Sequence, residues 1–204
     1  MREVKDPDIR RAEILQSAQK LFIQKGYMNV TTQDIVNDLH ISRGLLYYHF
    51  KSKEDILEHI VDAEVSKIKI ALKDITYSEQ LSATEKIEQF ISATIIPPSA
   101  NTEENRALNA SMRLPENSYM TDRIYRKMAE TMAEFFSSIL EQGNQDGSFQ
   151  VDNPKETSVF LMTAYLFTLN SRDFACDDLE VAKQYLNTFG EILSKVVGTT
   201  IHIM

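Results

Sequence analysis

Cysteine, tryptophan, glycine and proline are all scarce in this sequence, which has one Cys, no Trp, six Gly and five Pro among 204 residues. The single thiol, Cys176, excludes an intramolecular disulfide, and we expect the protein in a reducing cytoplasm. Few Gly and Pro, together with many Leu, Ile, Glu, Lys and Gln, favour helix. No apolar run follows the charged start and none reaches about 18 residues, so we expect neither a signal peptide nor a membrane span.

Residue patterns that support metal binding or catalysis are also missing. The four histidines show no ligand spacing, and no Ser or Cys lies in a nucleophile motif. No glycine-rich phosphate loop occurs in the sequence. We therefore predict no metal site, no cofactor and no enzymatic activity.

Acidic residues outnumber basic ones, and the formal net charge is −8. The excess is uneven, because residues 1–53 hold 9 Lys and Arg against 6 Asp and Glu, a net +3, while the remainder holds 13 against 24, a net −11. Since salt screens charges beyond about 8–10 Å, a basic N-terminal part can bind phosphate in spite of an acidic body. A net +3 over this length is also an ordinary fluctuation, so charge supports nucleic-acid binding without establishing it.

Residues 31–50 are typical of a helix-turn-helix, which places its second helix in the major groove of DNA. Thr31 or Thr32 is expected to cap the first helix of the pair, and Ser42 to cap the second. His40-Ile41 forms the turn between them. The apolar periodicity of residues 52–75 predicts a longer helix directly after this motif. We expect that helix to connect the N-terminal part, residues 1–53 (the headpiece), to the rest of the protein.

The sequence SRGLLYYHFKSKEDIL from Ser42 to Leu57 follows the pairs Ile14-Leu15, Leu21-Phe22, Gly26-Tyr27, Thr31-Thr32 and Asp34-Ile35. With these residues, the segment 9–60 resembles the DNA-binding domain of the TetR family of one-component bacterial regulators. The resemblance implies an all-α fold: an N-terminal three-helix DNA-binding domain with a helix-turn-helix, joined by a long helix to a helical ligand-binding and dimerisation domain. We expect the first domain over residues 1–53 and the second over 54–204.

One position departs from the family pattern. Relatives commonly carry glycine where this sequence has His40, because the backbone there takes a positive φ. A histidine in that conformation costs on the order of 1 kcal/mol.

The helix-turn-helix supplies the candidate DNA-binding residues, which are Thr32, Gln33, Ser42, Arg43, Gly44, Leu45, Tyr47, Tyr48, His49 and Lys53. Arg43 suits a guanine edge and Gln33 an adenine edge, while Leu45 suits a thymine methyl group. The missing side chain of Gly44 permits a close approach to the bases. Hydroxyls at helix N-termini, the two tyrosines, the histidine and the lysine suit phosphate oxygens, and Lys51 is a weaker candidate of the same kind.

Simpler interpretations stay open for several of these residues. One alternative is that Thr32 and Ser42 are helix caps only, and a less favoured alternative for His49 is an ordinary surface position. We expect Leu46 and Phe50 in the headpiece core. Of the two tyrosines, Tyr48 is expected to be the more exposed.

The rest of the chain keeps helical periodicity, with segments near 82–96, 102–114, 119–142, 154–172 and 178–198. Gly143 and Gly147 are expected to break the chain after the third of these. Residues 159–169 are apolar all round, so such a helix must be covered on several sides. In the resembling family the last two long helices form a four-helix bundle between two copies, and the expected interface residues of a homodimer are Phe160, Phe167, Leu186, Phe189 and Leu193.

The expected small-molecule effector lies in the C-terminal domain, and its candidate contacts are Met112, Met128, Met132, Phe135 and Tyr165. Methionine and aromatic side chains suit adaptable apolar pockets, although the same stripe more often forms ordinary core. The interpretation that follows is a cytoplasmic regulator, most simply a repressor that leaves double-stranded operator DNA when an apolar or amphipathic effector binds. An activator, or a DNA-binding protein without an effector, is the alternative; a helical enzyme or lipid carrier is disfavoured by the missing catalytic residues.

Overall fold

A computed structural model describes residues 6–95, 110–112, 114–169 and 179–203. Regular structure in these ranges is helical throughout, which confirms the predicted all-α fold. We number the α-helices in chain order as α1 (Pro7–Lys25), α2 (Thr32–Asp38), α3 (Arg43–His49), α4 (Lys53–Thr76), α5 (Ala83–Thr94), α6 (Ser118–Asp146), α7 (Pro154–Leu169) and α8 (Leu179–Val197). Short 3-10 turns cover Tyr27–Asn29 and Pro115–Asn117. The segment predicted at 102–114 lies largely outside the described residues.

The chain divides into two compact units. One consists of the described residues within 1–64 and 101–124, and the other of those within 65–100 and 125–204. The first unit therefore contains α1 to α3 and the opening turns of α4 and α6. The two long helices α4 and α6 each supply residues to both units.

Helix α1 begins and ends where its local sequence requires. The Asp6 carboxylate accepts the backbone N–H of Asp8 at 2.8 Å, and Pro7 occupies the first helical position, where no N–H partner is needed. Gly26 ends the helix with φ 84°, a backbone conformation that residues other than glycine rarely adopt. The buried face of α1 includes Ile14, Ala18 and Phe22.

A second stretch of chain completes the first unit. Asn117 is fully buried, and its amide nitrogen donates to the carbonyls of Ile23 at 3.1 Å and Ser111 at 2.9 Å. Tyr119 stacks on Tyr27 with ring centroids 5.2 Å apart. The turn before α6 is thus fastened to the end of α1, nearly a hundred residues earlier in the sequence.

The second unit encloses a large apolar core. It draws on α4 to α8 and on the C-terminal residues Ile201 and Ile203. Phe90 and Phe136 meet edge to face within it, at 5.5 Å between ring centroids. Ser82 and Glu85 form a capping box at the start of α5.

The predicted break at Gly143 is wrong, because α6 continues through it to Asp146. The absence of a side chain at Gly143 instead makes room for the ring of Phe149, since a Cβ there would lie 2.0 Å from that ring. Gly147, with φ 80°, follows the end of the helix, as the sequence predicted.

Candidate nucleic-acid interface

Helix α2 is held at its N-terminus by a reciprocal cap. The Thr31 hydroxyl accepts the N–H of Asp34 at 3.3 Å, and the Asp34 carboxylate accepts the N–H of Thr31 at 2.8 Å. The bonds from the Thr31 hydroxyl and backbone also lower the pKa of Asp34 below its usual value. Of the two expected caps, Thr31 is therefore the cap, and Thr32 is the first residue of the helix.

The turn between the two helices is a Schellman motif. The N–H of Ile41 donates to the carbonyl of Val36, and the N–H of His40 donates to the carbonyl of Asn37. This pattern requires a left-handed residue just after the helix, and His40 has φ 51°. The positive φ expected from the family pattern is confirmed, with a histidine in place of the usual glycine.

Helix α3 starts at the predicted cap, since the Ser42 hydroxyl accepts the N–H of Leu45 at 3.2 Å. Leu46 is fully buried and Phe50 is 1% exposed, so the inner face of the helix is anchored in the headpiece core as predicted. The outer face carries Tyr47, 46% exposed, and Tyr48, 76% exposed. Tyr48 is thus the more exposed tyrosine, as the sequence analysis expected.

Three of the predicted DNA-contact residues come together where α2 and α3 meet. The hydroxyls of Thr32 and Tyr47 lie 3.2 Å apart. The hydrogen bond from Thr32, and then the guanidinium of Arg43, lower the pKa of Tyr47. Gly44 beside them faces open space, because a Cβ built on it would meet nothing within 4 Å. Together these residues form a polar, exposed surface on which a ligand can approach the backbone of α3 closely.

The other candidates lie at the edges of this surface. Gln33 is exposed, and its amide donates to the side chain of Asn37 at 2.8 Å. Leu45 is half-buried. His49, also half-buried, ends α3 and meets the ring of Tyr48 edge to face at 5.0 Å between centroids.

Lys53 has a structural role that the sequence analysis did not anticipate. Its ammonium donates to the carbonyls of Tyr27 and Val30, each at 2.9 Å, and lies 4.3 Å from the centroid of the Tyr27 ring. These bonds hold the chain just before α2 and aim the charge into the protein. Lys51, two residues earlier, has an exposed side chain and is the better candidate for a phosphate contact.

Arg11 was missed by the sequence analysis. From α1 it donates to the carbonyl of His49 at 3.1 Å, and its guanidinium lies 4.6 Å from the centroid of the Phe50 ring. No local pattern reveals such a contact, since the bonded residues are 38 positions apart. Arg11 therefore joins α1 to the end of α3, beside the candidate interface.

The expected effector contacts do not form one open pocket in the described residues. Met132, Phe135 and Tyr165 are buried in the core of the second unit, and Met128 packs against that core. Met112 falls in the first unit and is only half-buried. The simpler interpretation, that the methionine and aromatic stripe forms core, describes the packing seen.

The expected dimer residues are only partly on the surface. Phe160 is 78% exposed, but Leu186, Phe189 and Leu193 are at most 8% exposed within one chain. These three belong to the core of the second unit, which corrects the expectation that they face a partner. Phe167 is half-buried and meets Tyr125 at 6.3 Å between ring centroids.

In the described residues, neither a cluster of metal ligands nor a membrane-spanning helix is found. Among those residues, no three His, Cys, Asp or Glu side chains are grouped as a metal site requires. None of the helices there is both long and apolar enough to cross a bilayer.

Family models match both parts of the sequence. Residues 14–60 match the model described as bacterial regulatory proteins, tetR family, and residues 100–192 match the model of a tetracyclin repressor-like C-terminal domain. The first match contains all of α2 and α3.

Among curated proteins, the chain is 31% identical over 150 residues to the HTH-type transcriptional regulator QacR of Staphylococcus aureus, covering 72% of this chain and 77% of that protein. It is 27% identical over 188 residues to the HTH-type transcriptional repressor KstR2 of Rhodococcus jostii, covering 87% and 88%. Among solved structures, a regulatory protein of the tetR family from Rhodococcus RHA1 superposes with a TM-score of 0.62 at 20% identity, covering 97% of this chain and all of that one. The chain belongs to the TetR family and is a DNA-binding transcriptional regulator, not an enzyme.

Proposed function

We propose that the protein is a ligand-responsive repressor that acts as a homodimer on double-stranded operator DNA in the cytoplasm. Residues 1–53 carry the DNA contacts in this proposal, and residues 54–204 carry effector binding and dimerisation. The observation that carries it is the two-sided nature of α3. Its inner face is anchored by the buried Leu46 and by Phe50, which directly follows the helix, whereas Arg43 and Tyr48 lie on its exposed side with Gly44.

In the proposed complex, α3 lies in the major groove. Arg43 donates two guanidinium N–H groups to the O6 and N7 acceptors of guanine, and Gly44 lets the helix backbone approach the bases. Further base contacts come from Gln33 on α2 and from Leu45 on α3. Phosphate contacts come from Thr32, Ser42, Tyr47, Tyr48, His49 and Lys51, whereas Lys53 acts indirectly by holding the chain before α2.

A two-fold dimer places two such helices on successive half-sites about 34–36 Å apart. The surface we assign to dimerisation is the exposed apolar side of α7 and α8. It includes Phe160 at 78% exposure, Val159 at 49%, Ile192 at 44% and Tyr185 at 43%. Apolar residues at this spacing and exposure are typical of surfaces that a partner covers.

We propose an apolar or amphipathic effector that enters the core of the second unit beside Met128, Met132, Phe135 and Tyr165. Methionine side chains repack around ligands readily, which suits a site that is closed in the free protein. Tyr165 offers a polar group there, since its hydroxyl lies 2.7 Å from that of Thr94. Burial raises the pKa of Tyr165 to about 12, so the phenol stays protonated and able to donate.

Binding of the effector is proposed to tilt α4, which runs without a break from Lys53 to Thr76. A tilt changes the spacing of the two α3 helices, so that both no longer fit adjacent grooves. A 100-fold loss of operator affinity requires only about 2.7 kcal/mol of differential binding between the two states. An activator, or a regulator without a small effector, would show the same headpiece; reporter output from a deletion strain distinguishes these alternatives.

The DNA contacts are tested by a band-shift with the region upstream of the protein's own gene and with duplexes selected from a random pool, at fixed salt. We expect specific binding by the parent and by Lys69→Ala, an exposed control on α4. Arg43→Ala should lower operator affinity by about 1–3 kcal/mol and relax base preference. Arg43→Ala binding with parental affinity and preference would remove Arg43 from the proposed contacts.

A further inference from the structure

Residues 115–123, which we call the α6 junction, comprise the turn before α6 and the start of that helix. They belong to the same compact unit as α1 to α3, although they follow α5 in the sequence. Gly26 has no side chain at the closest approach, where a Cβ would lie 2.6 Å from the Cβ of Glu116. The fully buried Asn117 donates to the carbonyl of Ile23 at 3.1 Å. The α6 junction is therefore fixed against the end of α1 at two points.

Tyr119 carries this attachment to the ring of Tyr27. The two rings stack, with centroids 5.2 Å apart and an angle of 18° between their planes. Tyr27 is 2% exposed, and the Lys53 ammonium lies 4.3 Å from the centroid of its ring. Tyr119 is also held from α4, because Arg123 lies 5.9 Å from its ring centroid and forms an ion pair with Glu58. One side of the Tyr27 ring is thus packed against a residue of α6.

The surroundings of Tyr27 determine where α2 begins. The ammonium of Lys53, which lies over the ring, donates to the carbonyls of Tyr27 and Val30, each at 2.9 Å. Val30 directly precedes Thr31, whose side chain caps α2. Gln33 lies in the first turn of that helix. A displacement of the Tyr27 ring would therefore move the start of α2 and the residues presented there.

We propose that Tyr119 is a positioning residue for DNA binding, and that it acts by fixing the start of α2 through the ring of Tyr27. The inference rests on the proposed function, because Gln33 is assigned there as a base contact from α2. It extends the DNA-binding part beyond residues 1–53, since a segment from much later in the sequence completes the support of the contact surface.

Helix α3 has anchors of its own. The hydroxyl of Ser42 accepts the N–H of Leu45 at the start of the helix, and Leu46 is fully buried. Arg11 donates to the backbone carbonyl at the last residue of the helix, at 3.1 Å. Loss of the Tyr119 ring should therefore disturb contacts made from α2 more than contacts made from α3.

The first experiment measures operator binding of the full-length protein by fluorescence anisotropy at constant salt, with a duplex that the protein selects from a random pool. Tyr119 is 44% exposed, so Tyr119→Ala leaves no large internal cavity. We expect this variant to raise the operator Kd about two- to tenfold, the range that corresponds to one aromatic pair. Tyr119→Phe keeps the stacked ring and should match the parent.

A loss of stability alone does not produce this result. While circular dichroism shows that a variant is fully folded at the assay temperature, a lower free energy of unfolding leaves the population of folded protein, and hence the Kd, unchanged. Tyr77→Ala is the matched control, since Tyr77 is 60% exposed and its ring meets Phe135 edge to face in the second unit. It should bind like the parent. A parental Kd for Tyr119→Ala, or an equal loss in Tyr119→Phe or Tyr77→Ala, would overturn the inference.

Double variants locate the effect on one helix. If Tyr119 acts through α2, its removal already weakens the Gln33 contact, so Tyr119→Ala with Gln33→Ala should lose less than the product of the two single losses. Combined with Arg43→Ala on α3, the losses should multiply. Losses that multiply in both double variants would contradict the action through α2. Failure of the proposed function is a separate outcome, because the parent would then prefer no duplex over a shuffled one.

Discussion

Replacing Lys53 by Met separates a structural role from a DNA-contact role. The Lys53 ammonium donates to two carbonyls at 2.9 Å and lies 4.3 Å from the centroid of the Tyr27 ring. A hydrogen bond from a charged donor contributes about 1.5–3 kcal/mol, and an exposed cation–π contact about 0.5–1 kcal/mol. Because Lys53 is half-buried, the lower values apply, and two bonds with one ring contact give about 3.5 kcal/mol. Methionine retains the apolar stem, so this loss isolates the ammonium.

The assay is urea unfolding of the full-length protein, followed by circular dichroism at two protein concentrations. Lys51→Met is the matched control, because its side chain is exposed and only its backbone N–H bonds to Asp55, at 2.8 Å. We expect Lys53→Met to lower the free energy of unfolding by about 2–4 kcal/mol, and Lys51→Met to change it by less than about 0.5 kcal/mol.

DNA binding should show the opposite order. Under conditions where both variants are folded, Lys51→Met should weaken binding to all sequences and reduce the salt dependence by about one phosphate contact. Lys53→Met should keep the parental salt dependence. A Lys53→Met protein that is as stable as Lys51→Met but has lost a phosphate contact would refute the structural role and restore the interpretation first drawn from the sequence.

Three further predictions concern the surface, the turn and the cap. Phe160→Glu should give folded monomers in sedimentation, because it places a charge on the assigned surface. Leu193→Ala, a control at a fully buried position, should lose about 2–5 kcal/mol of stability and still self-associate. A dimeric Phe160→Glu protein would contradict the assigned surface. His40→Val should destabilise the protein by about 1 kcal/mol or more, whereas His40→Gly should not, because only glycine adopts φ 51° freely. Equal unfolding midpoints for the two variants would count against backbone strain at this position. The hydrogen bonds from Thr31 hold the pKa of Asp34 below its usual value. The stability that these bonds contribute is therefore present at pH values above the usual pKa of Asp34, and it is lost as the pH falls through the lowered pKa. Melting temperatures from neutral pH to about pH 3 should therefore fall less in Thr31→Val than in the parent.

Local features of the headpiece were predictable because they depend on neighbouring residues. Caps at Thr31 and Ser42 need only a hydroxyl three residues before a free N–H, and the structure contains both. The positive φ at His40 was expected from the glycine that relatives carry at this position, and the structure has φ 51° there. Burial of Leu46 on α3 and of Phe50 directly after it follows from their spacing of four residues.

Contacts between distant parts of the chain were not predictable in the same way. Lys53 reaches carbonyls 23 and 26 residues away, and Arg11 reaches one 38 residues away. Periodicity locates a long basic side chain on a helix face, but the acceptor depends on how helices pack. Asn117 shows the same limit, because its amide bonds to Ile23 across 94 residues.

The orientation of helix α7 was a part of the body that the sequence did not predict. No charged side chain lies between Glu156 and Leu169, so the sequence alone does not specify which side faces the core. In the structure Met162 and Tyr165 are buried, while Phe160 remains on the surface. On the buried side, the Tyr165 hydroxyl also makes a polar contact with a distant residue, Thr94 on α5, at 2.7 Å. Phe160 lies on the other, exposed side of the helix, and an exposed apolar surface of this kind is typical of one that a second molecule covers.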